Sequence, residues 1–314
     1  MFFIDNLIKK INDKKSHVAV GLDPDYESLP KSVKNINDCS LKDASSAIIK
    51  FNIEIIDSIC DLVPAVKPQI AFYERYGIDG MKAFMKTVKH ARRRGLIVVE
   101  DAKRNDIGST ATAYSEGHIG KVRINNTFTS VFDVDAITVN PYLGTDGILP
   151  FITSIKENAK GIFVLVKTSN PSSVDLQDVN VSGTKHREKL HQLVAKLVNQ
   201  WGQNVIGDSG YSSVGAVVGA TFPEDAKILR KLMPRSYFLV PGYGTQGGTA
   251  SDIIHCFNKD GHGALIAASR SINYAYKRSK RYRNGRFGKA AREAVIEMNR
   301  DINDALDEAG LLKF

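Results

Sequence analysis

The chain has 314 residues, 43% of them hydrophobic and 25% charged, a balance that supplies a large core and excludes disorder over most of the length. Its net charge of +9 comes partly from two basic runs, 89–94 and 277–286. Such runs suit nucleic acid, an acidic surface or an anionic small substrate, although solvated helix faces are their commoner origin. Cys39, Cys60 and Cys256 are odd in number, far apart and without a CxxC pair or His spacing suited to zinc, so neither a disulfide framework nor a metal centre is indicated.

The first ten residues place apolar side chains at helical spacing, interrupted by Asp5, Asn6 and Lys9, unlike the positive-then-apolar order of a signal peptide. No apolar run approaches the ~20 residues that a membrane helix needs. A soluble, cytoplasmic protein is therefore expected. Short β-branched runs then recur, each followed by a stretch of helical periodicity: 18–23, 65–69, 97–103, 136–140, 162–168, 215–220, 237–241 and 264–269. Eight such runs predict a single (β/α)8 TIM barrel spanning 1–314, of α/β class. A doubly wound sheet is the competing architecture, but no GxGxxG lies between a first strand and a helix.

Polar residues cluster where the runs end: Asp23, Lys67, Asp101, Lys103, Asn140, Lys167, Gln246 and Arg270. Barrel active sites sit at that C-terminal mouth. Gly, Ser, Asn, Asp and Pro predominate at 169–184 and 204–213. The first follows the fifth strand and is a candidate lid, whereas the second fits a plain insertion as well.

The most informative stretch is Val98-Val-Glu-Asp101-Ala-Lys103-Arg-Asn-Asp106-Ile107-Gly-Ser-Thr110. Alternate residues of an extended strand share a face, so Asp101 and Lys103 point into the mouth, with Asp106 just beyond. Attraction between unit charges about 4 Å apart is worth ~4 kcal/mol at an effective dielectric near 20, which favours Lys103 as an acid. Imine chemistry normally needs the opposite setting, an amine desolvated or beside other cations. An ordinary ion pair at a strand end is the competing account of an isolated Asp-x-Lys.

These residues resemble the Asp-x-Lys-x-x-Asp-Ile signature of the orotidine 5′-monophosphate decarboxylase family, and the similarity continues through the chain. Gly21-Leu-Asp23-Pro-Asp25, Val66-Lys67-Pro-Gln69, Lys167-Thr-Ser169-Asn-Pro171, Pro241-Gly-Tyr-Gly244-Thr-Gln246 and Ser269-Arg270 fall in family order, in the forms of its longer branch. The resemblance implies decarboxylation of orotidine 5′-monophosphate to uridine 5′-monophosphate in de novo pyrimidine biosynthesis, without cofactor or metal. Lys103 would protonate C6, Asp101 and Asp106 would hold it, and Lys67 would complete an alternating charge array. Asp23 would bind a ribose hydroxyl, Gln69 would line the substrate site, and Ser169, or less directly Thr168, would bond to the pyrimidine amide edge. Pro241, Gly244, Gln246, Ser269 and Arg270 would hold phosphate, as loops after the seventh and eighth barrel strands often do. Ser269 stands where many family members have Gly, a departure that bears on backbone contact to phosphate there. Asp106, Ile107 and Thr110 would reach into the partner's site, implying a homodimer.

Two alternatives stand beside this one. Metal-dependent sugar-phosphate barrels of the phosphohexulose synthase type share Asp-x-Lys-x-x-Asp, but need a further acidic ligand, and Glu100 should face away from the mouth. A nucleic-acid-binding role would rest on the basic runs alone, since no RRM, KH or zinc-finger pattern accompanies them, and no specific nucleic acid is expected. No HExxH occurs, His186 and His191 are ill spaced for one metal on one helix face, and Trp201 reads as a packing residue.

Overall fold

A computed structural model describes residues 1–34, 40–182, 188–278, 280–282 and 285–314. Cys39 and His186, the end of the candidate lid (183–184) and Ser279, Arg283 and Asn284 of the second basic run lie outside the described residues. Among the described residues, eight parallel strands close a barrel. They are β1 (Val18–Leu22), β2 (Ala65–Pro68), β3 (Ile97–Arg104), β4 (Ala136–Val139), β5 (Gly161–Lys167), β6 (Ser212–Val218), β7 (Ser236–Val240) and β8 (Ala264–Ala268). Pairing of Val18 with Ile266 closes β1 on β8, so no edge is left unpaired.

The main helices are α1 (Phe3–Lys14), α2 (Leu41–Ile59), α3 (Gly77–Arg93), α4 (Gly108–His118), α5 (Thr145–Asn158), α6 (Leu190–Trp201), α7 (Pro223–Leu232) and α8 (Phe287–Glu308). All but α1 pack outside the strands. Val20, Val66, Val98, Ile137, Val164, Ala216, Phe238 and Ile266 face these helices, whereas the alternate residues Ala19, Ala65, Val99, Ala136, Phe163, Tyr237 and Leu265 face the barrel interior. Strands buried on both faces account for the unbroken apolar runs in the sequence.

Helix α1 has a different task. Its i, i+3, i+4 stripe of Phe3, Ile4, Leu7, Ile8 and Ile11 packs on the interior residues and plugs the N-terminal end of the barrel. Asp5 accepts the Phe2 N–H at 3.0 Å and the Ser209 N–H at 2.9 Å, fixing the start of the helix. That second bond places loop 204–213 at the plugged end, remote from the mouth. Trp201 is buried and donates its Nε1 proton to Thr145 Oγ1 at 3.1 Å, a packing role.

Two antiparallel excursions escaped the sequence pattern. One pairs 122–124 with 127–129, and the other pairs Asn180–Val181 with Glu188–Lys189 at the base of the candidate lid. Cys60 and Cys256 are free thiols. No described helix is long and apolar enough to cross a membrane.

Candidate active site

The chemistry-bearing end of β3 is not a regular strand. Val99 pairs with Ala136 and Glu100 with Ile137, but the next pairing is Arg104 with Val139, so extra residues are accommodated between them. Lys103 takes a left-handed φ of 51°. For a residue with a side chain this costs on the order of 1–3 kcal/mol, and it persists only where the surroundings hold it. Thr138 on β4 does so: its Oγ1 accepts the backbone N–H groups of Ala102 and Lys103, both at 2.9 Å, and donates to Asp101 Oδ1 at 3.0 Å. Asp101 and Lys103 both reach the mouth, as the sequence predicts, but through this bulge and not through regular alternation. Glu100 faces outward, buried, and its Oε2 lies 2.7 Å from His118 Nδ1.

Asp101 sits between two lysines, with Lys67 Nζ 3.0 Å from Oδ2 and Lys103 Nζ 2.5 Å from Oδ1. Burial by itself would raise the Asp101 pKa, yet the charges of Lys67 and Lys103 hold it well below the usual carboxylate range. Burial likewise opposes the charge on Lys67, and the carboxylates of Asp101 and Asp23 outweigh it, so its pKa is raised. Asp23 follows β1, and its Oδ1 is buried without a hydrogen-bond partner among the described residues. A buried acceptor of this kind suits a ligand hydroxyl.

One cavity of about 580 Å³ joins this charged cluster to the loops after β7 and β8. Asp23, Lys67, Gln69, Asp101, Lys103, Thr168, Ser169, Pro241, Gln246, Ser269 and Arg270 all line it. The volume lies within the range of small-molecule sites. Gly242 has a φ of 99°, and a Cβ there would lie 3.2 Å from both Ser169 Cβ and Gln246 Oε1, so glycine lets the loop turn beside the lid. At Gly21 an added Cβ would lie 2.6 Å from Ser269 Cβ. Ser269 thus fills the space that a glycine at 269 would leave open, and its Oγ accepts from Asn273 Nδ2 at 3.2 Å.

The candidate lid after β5 differs from a plain loop. Residues Pro171–Ser173 and Val174–Gln177 form short helical turns. Gln177 returns to the strand end, where its Oε1 accepts the Thr168 N–H at 2.9 Å and its Nε2 donates to Thr168 Oγ1 at 2.8 Å. Thr168 is therefore engaged within the loop, whereas no contact holds the Ser169 hydroxyl among the described residues.

Of the residues given a catalytic or binding role by the resemblance, Asp106, Ile107, Thr110 and Gly244 do not line the cavity. Asp106 Oδ1 accepts the N–H of Ile107 at 2.8 Å, and Lys103 pairs with Asp101 and not with Asp106. The sequence places Asp106 just beyond the strand, and the resemblance assigns it with Ile107 and Thr110 to a partner's site; within this chain α4 begins at Gly108 and carries the segment away from the cavity. Lys167, placed at the mouth by the sequence, is a correction. The register between β5 and β6 skips a residue, pairing Leu165 with Val217 but Lys167 with Val218, so the Lys167 side chain enters the outer layer and not the mouth. Asn140 also stays off the cavity, its Oδ1 accepting the Tyr142 N–H at 3.0 Å. Thr138 and Gln177 were missed. Thr138 left one trace, a hydroxyl among the inward positions of an apolar strand, and Gln177 left none.

Known proteins agree with this architecture over nearly the whole chain. The chain is 44% identical over 306 residues to the orotidine 5′-phosphate decarboxylase of Rhodopirellula baltica, covering 96% of this chain and 99% of that one. It is 40% identical over 308 residues to the enzyme of the same name from Caldicellulosiruptor bescii, covering 97% and 99%. The solved structure of Leishmania donovani OMP decarboxylase superposes with a TM-score of 0.72 at 29% identity, covering 97% and 98%. Residues 16–284 match the family model described as Orotidine 5'-phosphate decarboxylase / HUMPS family. On the strength of that match and of relatives this similar from end to end, the chain belongs to the orotidine 5′-phosphate decarboxylase / HUMPS family.

Proposed function

We propose that the protein decarboxylates orotidine 5′-monophosphate to uridine 5′-monophosphate, with Lys103 delivering the proton to C6. The observation that carries this reading is a single cavity with the Lys67, Asp101 and Lys103 array at one end and the Gln246 and Arg270 loops at the other. In the proposed step the bond between C6 and the carboxylate breaks, carbon dioxide leaves, and the electron pair left on C6 takes a proton from Lys103 Nζ. The charge of Asp101 beside the substrate carboxylate disfavours the ground state relative to a more diffuse carbanion. Asp23 accepts from the ribose, Gln69 lines the pocket, and Ser169 meets the pyrimidine edge. The backbone of Pro241 and Ser269, with Gln246 and Arg270, holds the phosphoryl group, Arg270 as a planar cationic fork, whereas the Gly244 N–H is spent inside the turn on the carbonyl of Gly248 at 2.8 Å. Relatives carrying this name at 44% and 40% identity favour it over metal-dependent sugar-phosphate chemistry. The outward course of Glu100, bonded to His118, points the same way.

An ultraviolet assay of orotidine 5′-monophosphate, run with and without a chelator, tests the proposal. Loss of substrate at equal rates in both is expected, and chelator-sensitive turnover or none at all would reject it.

The working unit in this scheme is a cytosolic homodimer in which Asp106, Ile107 and Thr110 complete the neighbour's site. Its support is the apolar surface beside that segment, where Ile107, Tyr142, Leu143 and Leu149 are exposed. Residues 1–314 act as one catalytic unit, consistent with α1 plugging the barrel and with Phe287 of α8 stacked on Phe51 of α2 at 5.1 Å. Mixing inactive Lys103→Ala with inactive Asp106→Ala subunits should restore about a quarter of wild-type activity, because statistical exchange leaves one intact site in each mixed dimer. No recovery after proven exchange would remove the shared-site assignment.

A further inference from the structure

Behind the mouth lies a charged cluster that the proposed chemistry does not use. Lys167, fully buried at the end of β5, lies with its Nζ 2.8 Å from Asp178 Oδ1 and 3.8 Å from Asp225 Oδ2, and 4.3 Å from the centre of the Phe222 ring. His191 Nδ1 is 3.2 Å from the same Asp178 oxygen and 2.9 Å from the carbonyl of Gln177, and its Nε2 is 3.7 Å from Asp225 Oδ1. These groups come from four places: the end of β5, the end of the lid turn, the start of α6 and the start of α7. Asp178, His191 and Asp225 have a spacing that could serve a metal ion, but Lys167 Nζ already pairs with both carboxylates.

The cluster connects to the cavity by a short path. Asp178 follows Gln177, whose amide makes both hydrogen bonds to Thr168, and Thr168 precedes the cavity-lining Ser169. A buried cation cannot leave its carboxylate without a large desolvation penalty, so Asp178 is pinned far more firmly than a surface loop residue would be. The anchor thereby fixes the segment after β5 at the point where Ser169 and Gln177 border the cavity.

We infer that Lys167, through Asp178 and Gln177, is a positioning device that sets Ser169 against the base of the nucleotide. It rests on the decarboxylase reading, since the effect is read as turnover of orotidine 5′-monophosphate. Two features distinguish it from plain structural support. The effect must pass through Ser169, and it must survive in a variant that leaves the buried charges intact.

The test is a double-mutant cycle on kcat/KM, with thermal unfolding measured in parallel. Lys167→Met is expected to lower kcat/KM about 10- to 100-fold, the scale of a small misplacement remote from the reacting atoms. Gln177→Met, at a half-buried site that keeps the charged cluster whole, should produce a loss in the same direction with little change in unfolding, and it reads the same path should Lys167→Met fail to fold. In a Ser169→Ala background either substitution should cost less than about 3-fold, because coupled positions are not additive. Full additivity with Ser169→Ala, or unaltered kcat/KM in Gln177→Met, would overturn the inference. Inactivity of the unsubstituted protein would instead condemn the decarboxylase assignment, so the two failures are distinguishable.

Discussion

The two ends of one barrel use the same inward-facing positions for opposite purposes. At the plugged end the interior carries Ala65, Ala136, Phe163 and Tyr237, and α1 seals it, with Phe3 set edge-to-face on Phe163 at 6.3 Å. Two residues further along the same strands, the inward positions become Lys67 and Thr138, and Asp101 follows Val99. The apolar half requires nothing beyond exclusion of water, whereas the polar half requires every group to be paired or aimed at a ligand. Stability and chemistry are thus segregated along the strand direction, and substitutions at the two ends should act on different observables.

Lys103→Ala is the strongest way to sharpen that contrast. Turnover should fall by about 10²–10⁴-fold, the usual contribution of a positioned proton donor, with the melting temperature nearly unchanged because the side chain is 45% exposed. Wild-type turnover in a folded variant would break the assignment of the donor.

Leu7→Ala asks the reverse question at the plugged end. Leu7 is fully buried, so its truncation should cost about 2–5 kcal/mol in denaturant unfolding, while kcat/KM per folded molecule stays at the wild-type value. Loss of turnover without loss of stability would show that the two ends are not separable.

The smallest effect is expected in the acid limb of stability. Asp101 has a depressed pKa, so its contribution is fully present above the unfolded value near 3.9 and is lost as pH falls below it. Lys67, with a raised pKa, keeps its contribution below about 10.4 and loses it as pH rises further. Asp101→Asn should therefore flatten the decline of unfolding free energy below pH ~4, by up to ~1.4 kcal/mol per pH unit, and leave the slope between pH ~5 and ~9 unchanged. An identical acid limb in wild type and variant would show that the ion array contributes nothing to folding.

The basic runs give a more modest lesson. In the first, Arg92 pairs with Asp133, and His90 and Arg94 both lie within 3 Å of Asp57, so part of its charge is answered by neighbouring acids. A count of lysines and arginines along the chain could not show these partners, because Asp57 and Asp133 are remote in sequence.

Much of the fold was legible because its signal is local. Strands buried on both faces must be apolar at every position, and helices that cover them must carry a stripe, so eight alternations identify the barrel and its mouth. The Asp101 and Lys103 pair, the Gly-rich turn after β7 and Arg270 were legible for the same reason, each lying within a few residues of a strand end. Only the tertiary structure decided which way the side chains at those ends point. Whether Lys103 reaches the cavity depends on a bulge braced by Thr138 from the next strand, and whether Lys167 turns away depends on one skipped residue against β6. Register between strands is set by long-range pairing, and a slip of one residue reverses every side chain, so the burial of Lys167 and the Gln177 link to Thr168 follow from contacts that no window along the chain contains.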